Sequence, residues 1–240
     1  NSHFPPNTVQ VQRGAIAAQE LNIFDQYFEC VIKAMWENDK NISDYLCKKA
    51  IENMNSTEKM IFEKHDALTQ EECEYYISLF ESHKDFHSQG ETIGGLNLEI
   101  KDCTEILFLP TNQELKQMFD ALQKGLNEYE EQYSFLKNLD KYGQIENITF
   151  KRYNPGQAYH GLHCERSGLK TSSRMLVWMF YLNDVNDGGE TFFPHQDKKV
   201  KARQGKLVIW PSDWTHAHQG IVSNTEKKYI TSSWLNFIPD

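Results

Sequence analysis

Before Glu146 the apolar residues of this chain recur mostly at helical spacing; from Glu146 onward they fall into short strand-like runs. Segments 15–37 and 42–54 place Leu21, Phe24, Phe28, Val31, Ile32 and Met35 at helical intervals, which predicts a helical N-terminal extension over residues 1–62. That extension reads as a buttress for the main domain, residues 63–240, rather than as a separate module. A capping box at Leu68-Thr69-Gln70-Glu71-Glu72 opens a helix, with Thr69 as cap and Glu72 reaching back, and the expected stripe is Tyr75, Ile77, Leu79 and Phe80. After Pro110 a longer helix is expected from Leu115, Met118, Phe119, Leu122, Leu126, Tyr129 and Tyr133, whose aromatic rings read as core. The strand-like runs are Ile148–Tyr153, Met175–Leu182, Thr191–Phe193, Lys206–Trp210 and Tyr229–Phe237, with a turn signal at Asp187-Gly188-Gly189. Short strands without intervening helices predict an antiparallel barrel or double-sheet jelly roll, and helices before strands make the class α+β, with helices on one face of the sheet.

The 240 residues suffice for one sizeable domain with an appendage. A net charge of -9 argues against a nucleic-acid partner bound by phosphate neutralisation. No apolar run reaches the length of a membrane span, and no signal-peptide pattern opens the chain. The cysteines at 30, 47, 73, 103 and 164 form an odd, scattered set without CxxC spacing. They read as reduced thiols and predict a cytoplasmic protein. Sequons at Asn41, Asn55 and Asn147 carry little weight in such a chain.

The chemistry concentrates in His163-Cys164-Glu165 and, some fifty residues later, His218 followed by Lys228. Two imidazoles and one carboxylate are the facial set that holds non-haem Fe(II) and leaves open positions. On a strand, residues i and i+2 leave the same side, so His163 and Glu165 can share a metal while Cys164 points away. Lys228 adds a fixed positive charge suited to an acidic cosubstrate, and Lys227 next to it should face outward.

These residues sit within a longer series: Tyr153-Asn-Pro-Gly-Gln-Ala-Tyr159, His163-Cys-Glu165, Arg174, Tyr181 to Thr191, Gly205 to Trp210, His218-Gln-Gly220 and Lys228 to Trp234. In that order, from about Asp66 to the C-terminus, the chain resembles the Fe(II)/2-oxoglutarate dioxygenases, and among them the prolyl 4-hydroxylase-like group. The resemblance implies that His163, Glu165 and His218 hold iron and that Lys228, with the hydroxyls of Tyr153 and Thr191, takes the distal carboxylate of 2-oxoglutarate. It implies Fe(II), 2-oxoglutarate and O2 as cofactors, and admits ascorbate as an accessory. Two departures stand out: the family's usual acid is Asp, where this chain has Glu165, and one extra residue separates Tyr153 from His163. His216 competes with His218 as the distal ligand; family spacing to Gly220 and Lys228 favours His218. His160 has the wrong spacing to share a strand face with Glu165.

The same resemblance places Arg174, Tyr159 and Trp234 beside the substrate, and implies hydroxylation of a prolyl residue in a peptide or protein with succinate and CO2 as co-products. A retained carboxylate ligand argues for hydroxylation over halogenation. Trp178, Trp210 and Trp214 read as packing or rim residues. Two other readings stay open: the same chemistry on a lysyl side chain, free amino acid or other small molecule, and a catalytically silent module that binds metal or 2-oxoglutarate. Oligomeric state is not legible.

Overall fold

The computed structural model describes residues 60–238. The helices expected within residues 1–62 lie outside the described residues. Strands β1 (Phe62–Lys64), β2 (Ser88–Gln89), β3 (Thr104–Phe108), β4 (Tyr142–Gln144), β5 (Ile148–Tyr153), β6 (Arg174–Tyr181), β9 (Leu207–Pro211) and β11 (Lys228–Phe237) form one antiparallel sheet. Its order is β1-β9-β6-β11-β5-β3-β2, with β4 also paired to β11. A second sheet has the order β10-β7-β8, from β7 (Thr191–Phe193), β8 (Lys198–Val200) and β10 (Gln219–Gly220). Two antiparallel sheets facing each other in this way make a jelly roll.

Side-chain alternation divides the large sheet into two environments. Leu176, Trp178 and Phe180 of β6 join Ile148, Phe150, Ile209 and Leu235 in a core shared with helices α1 (Gln70–Ser82) and α2 (Lys116–Gln132). The intervening Val177, Met179 and Tyr181 turn the other way, into the space between the sheets, with Tyr153, Val208, Ile230 and, from the small sheet, Phe193 and Val200. Both faces of β6 are therefore covered, which is why its sequence reads as a continuous apolar run.

Helix α1 starts as expected: Thr69 Oγ1 accepts from the Glu72 amide at 3.2 Å, and the Thr69 amide donates to Glu72 Oε2 at 2.8 Å. Its buried stripe is Cys73, Tyr76, Leu79 and Phe80. Tyr75, expected inside, lies outside at 43% exposure. In the run Tyr75-Tyr76-Ile77 only one residue can lie at the centre of the stripe, and contact with α2 selects Tyr76, whose hydroxyl accepts from the Met118 amide at 3.0 Å. Helix α2 begins after a short 3-10 turn, Gln113–Leu115, and presses onto β9 at Gly125, where a Cβ would come within 2.3 Å of Leu207 Cδ2.

The Asp187-Gly188-Gly189 turn links the large sheet to the small one. Gly188 has φ 71° and packs so closely that a Cβ would meet the Val222 carbonyl oxygen at 2.1 Å. The carbonyl of its neighbour Gly189 receives the Lys228 ammonium at 3.1 Å, so this turn also shapes the interior.

Candidate active site

A cavity of about 600 Å³ opens between the two sheets, and residues from β5, β6, β7, β9 and β11 line it. Three potential ligands converge at its wall. His163, Glu165 and His218 each offer an atom within 4.8 Å of the others. His163 Nε2 lies 3.5 Å and His218 Nε2 3.6 Å from Glu165 Oε1. Among the described residues this is the one group of three or more such side chains able to hold a metal ion.

The backbone brings the two halves together. His163 and His218 form an antiparallel bridge, with amide-to-carbonyl distances of 3.0 and 2.8 Å in the two directions. The His163–Glu165 segment is therefore not the regular strand that its spacing suggested. It is an extended stretch pinned by that bridge and by the Glu165 amide donating to the Ser212 carbonyl at 3.1 Å. The i, i+2 convergence survives because the bridge keeps the backbone extended.

Each imidazole is oriented from behind. His163 Nδ1 donates to the Gly161 carbonyl at 2.8 Å and His218 Nδ1 to the His216 carbonyl at 3.0 Å. This leaves both Nε2 lone pairs facing Glu165, the tautomer a metal requires. Tyr159 stacks on His163, with centroids 3.6 Å apart and planes 8° from parallel, while Phe193 and Trp210 flank His218. Burial and the neighbouring His163 charge push the pKa of His218 down to about 3, keeping it a neutral donor. Burial alone would raise the Glu165 carboxyl, but the hydrogen bond and charge of His163, with His218 and Lys151, hold it well below the usual carboxylate range.

Glu165 has its second oxygen occupied. Trp234 Nε1 donates to Oε2 at 2.9 Å, and Arg174 Nη1 lies 3.9 Å from the same atom. Arg174 is itself gripped by Glu146, at 2.7 Å through Nε and 2.5 Å through Nη2, and its guanidinium lies 3.4 Å above the Trp234 ring. The longer arm of glutamate is thus steadied by an indole and a guanidinium, leaving Oε1 toward the imidazoles. Trp234→Phe removes the indole hydrogen bond to Oε2 while leaving a side chain that packs much alike. We expect it to weaken metal binding about tenfold, measured by metal titration, with little change in the thermal midpoint.

At the other end of the cavity Lys228 is 5% exposed and stands directly opposite Tyr153 in the β5–β11 register. Its ammonium lies 4.7 Å from the Tyr153 ring centroid, and burial pushes its pKa down to about 8 against the opposing pull of Glu190. No carboxylate of the described residues lies within 4 Å of it. Thr191 lines the same region, its hydroxyl 2.6 Å from that of Tyr181. Lys227 is exposed, as alternation predicts.

All nine expected site residues therefore border one cavity: His163, Glu165, His218, Lys228, Tyr153, Thr191, Arg174, Tyr159 and Trp234. Of the bystanders, His216 is buried with Nδ1 3.0 Å from the Thr215 hydroxyl, and Cys164 also borders the cavity, its thiol directed to the Arg166 carbonyl at 3.7 Å. Trp214 is on the surface, Trp178 in the helix-side core. Three cavity or near-cavity residues escape a sequence reading. Tyr181 orients Thr191, Glu146 clamps Arg174, and Lys151 projects inward. Alternation back from Tyr153 places Lys151 on its face of the strand; nothing in the sequence pairs Glu146 with Arg174.

A jelly roll with two imidazoles and a carboxylate at the wall of its cavity defines the class: barrels able to hold a single metal ion with open positions. Residues 148–236 match the family described as the 2OG-Fe(II) oxygenase superfamily. The prolyl 4-hydroxylase subunit alpha-1 of Gallus gallus is 32% identical over 75 residues, 28% of this chain but only 14% of that protein's length. A putative prolyl 4-hydroxylase of Acanthamoeba polyphaga mimivirus is 24% identical over 66% of this chain and 67% of its own. Among solved structures, the viral collagen prolyl hydroxylase of Paramecium Bursaria Chlorella virus-1, as its 2OG complex, has the same fold, with TM-score 0.59 and 21% identity over 75% of this chain and 97% of that one. Over residues 148–236 the chain is thus similar to the 2OG-Fe(II) oxygenase superfamily, and the relatives it matches are named as prolyl 4-hydroxylases.

The residues fit the groups for which that superfamily is named. The N, N, O donor set suits Fe(II), and a buried ammonium with no carboxylate of the described residues within 4 Å suits a dicarboxylate. Among the described residues no helix is long and apolar enough to cross a membrane.

Proposed function

We propose that this chain is an Fe(II)- and 2-oxoglutarate-dependent dioxygenase that hydroxylates a prolyl residue in a peptide or protein. The observation that carries the reading is the pairing, in one cavity, of the His163, Glu165 and His218 cluster with the buried Lys228 ammonium. His163, Glu165 and His218 hold the metal; Lys228, with the hydroxyls of Tyr153 and Thr191, takes the far carboxylate of 2-oxoglutarate. When bound, the metal and cosubstrate supply the oxidising chemistry, with succinate and CO2 as co-products.

The protein's own part is positional. Carbonyls of Gly161 and His216 fix the imidazole tautomers, Trp234 and Arg174 fix the carboxylate, and Tyr159 and Trp210 wall the ligands from solvent. The prolyl target is supported by the names of the relatives. The same reading assigns residues 63–240 to the oxygenase domain, together with Phe62, which pairs with Ile209 as the first residue of β1, and the residues before them to an extension. Free thiols at Cys73, Cys103 and Cys164 support a reducing, cytoplasmic setting.

The test is succinate release from 2-oxoglutarate by Fe(II)-loaded protein in air, with and without proline-containing peptides. Peptide-stimulated succinate with a mass gain of one oxygen on the peptide is expected. Succinate that peptides never stimulate would point to another substrate, and none at all despite bound iron would leave a silent binding module.

A further inference from the structure

The cavity holds four cationic side chains, and three are accounted for. Lys101 pairs with Glu105 at 2.7 Å and donates to the Glu91 carbonyl at 2.9 Å. Arg174 is clamped by Glu146, and Lys228 is reserved for the cosubstrate. The fourth is Lys151, which lies between Thr149 and Tyr153 on the inward face of β5. Its ammonium donates to Ser232 Oγ at 2.7 Å, and no carboxylate of the described residues comes within 4 Å. Two of its three donor hydrogens remain for whatever enters the cavity.

Its place along β11 says which guest that is. The inward residues of that strand run Lys228, Ile230, Ser232, Trp234, and Trp234 holds Glu165. Ser232 is four residues from Lys228, about 13 Å at strand spacing. An ammonium drawn from opposite Ile230 onto Ser232 is thus displaced toward the ligand end of the cavity, where Glu165 feels its charge, although Lys228 feels it too. The wall around it, Asn147, Thr149 and Ser232, is polar.

On the dioxygenase reading above, on which this step rests, we infer that Lys151 is a specificity-determining residue that receives a carboxylate of the substrate. A neutral guest would leave the Lys151 ammonium with Ser232 as its hydrogen-bond acceptor and with Glu105, opposite it in the β3–β5 register, and Glu165 only as longer-range counter-charges, whereas a carboxylate gains charge-assisted hydrogen bonds there. Burial and the nearby Lys101 charge push the pKa of Lys151 down, against the pull of Glu105 and Glu165. The carboxylate can belong to an acidic side chain beside the target residue or to a chain end.

The full chain, loaded with Fe(II) and 2-oxoglutarate without oxygen, is titrated calorimetrically with three probes. These are a proline tripeptide blocked at both ends, the same peptide with an aspartate beside the proline, and the same peptide with a free terminal carboxylate. At least one acidic probe should bind about ten- to a hundredfold tighter than the neutral one. The probe that gains identifies the source of the carboxylate. Lys151→Met should erase the preference and Lys151→Arg retain it, while the 2-oxoglutarate concentration that half-saturates the Met variant stays put. No gain for either acidic probe, or a preference that persists in Lys151→Met, overturns the inference. A rise in the 2-oxoglutarate requirement without a change in probe preference overturns it too, by giving Lys151 to the cosubstrate. Failure of the dioxygenase reading shows separately, as parent protein that releases no succinate in air.

Discussion

His218→Ala will lose metal binding by more than about a hundredfold and with it all measurable 2-oxoglutarate turnover. Loss of a first ligand exceeds the ten- to hundredfold that loss of a supporting partner costs. The geometry makes this side chain hard to replace. Its Nε2 stands 3.6 Å from Glu165 Oε1, its Nδ1 is tied to the His216 carbonyl, and Phe193 and Trp210 hold the ring in place. His216 cannot stand in by a simple rotation, because the bridge to His163 aims residue 218, not residue 216, at the cluster. Titration of the apo protein with Fe(II), together with succinate release, checks the result. Retained turnover in His218→Ala would remove this residue from the ligand set and make His216 the next candidate.

Lys228→Met should raise the 2-oxoglutarate concentration required for half-maximal turnover about a hundredfold or more, the usual cost of deleting one partner of a buried charge pair. The effect on the protein alone runs the other way. Lys228 is 5% exposed, donates to the Gly189 carbonyl and lies over the face of Tyr153, with no carboxylate of the described residues within 4 Å. Removing its charge relieves a desolvation cost, so the thermal midpoint of the apo variant should equal or exceed that of the parent. In the parent, 2-oxoglutarate should raise the midpoint; in the variant it should not. An unchanged 2-oxoglutarate requirement would move the anchor elsewhere. Lys227, though next in sequence, is a poor substitute because it faces solvent.

Much of this site is legible along the chain because strand alternation is a local rule. It puts Lys228 inside and Lys227 outside, and it puts His163 and Glu165 on one side. The same rule reaches Lys151 from Tyr153, once β5 is known to have an inward face. It fails for the Glu146–Arg174 clamp, whose partners lie 28 positions apart with all of β5 and the His163–Glu165 stretch between them. It fails also at Tyr75 and Tyr76, where helical spacing permits either ring inside and only contact with α2 decides. The short strands β1, β2, β4, β8 and β10 carry too few residues for a periodic signal, and exist because longer neighbours pair with them.

By itself the sequence determined the two regimes of helix and strand, the capped start of α1, the turn at Gly188 and which residues are the candidates for holding a metal and a dicarboxylate. Those features depend on side-chain chemistry and on near neighbours, which a linear reading contains. Only the tertiary structure decided that His218 crosses to His163 by two backbone hydrogen bonds. It alone settled that Glu165 is steadied by Trp234 and Arg174, and that Lys151 enters the cavity without a carboxylate partner. Most of these depend on which distant segments the sheet order brings side by side, and pairing across fifty or more residues, as for His163 with His218, Glu165 with Trp234 and Lys151 with Ser232, leaves no period in the chain for a reader to find.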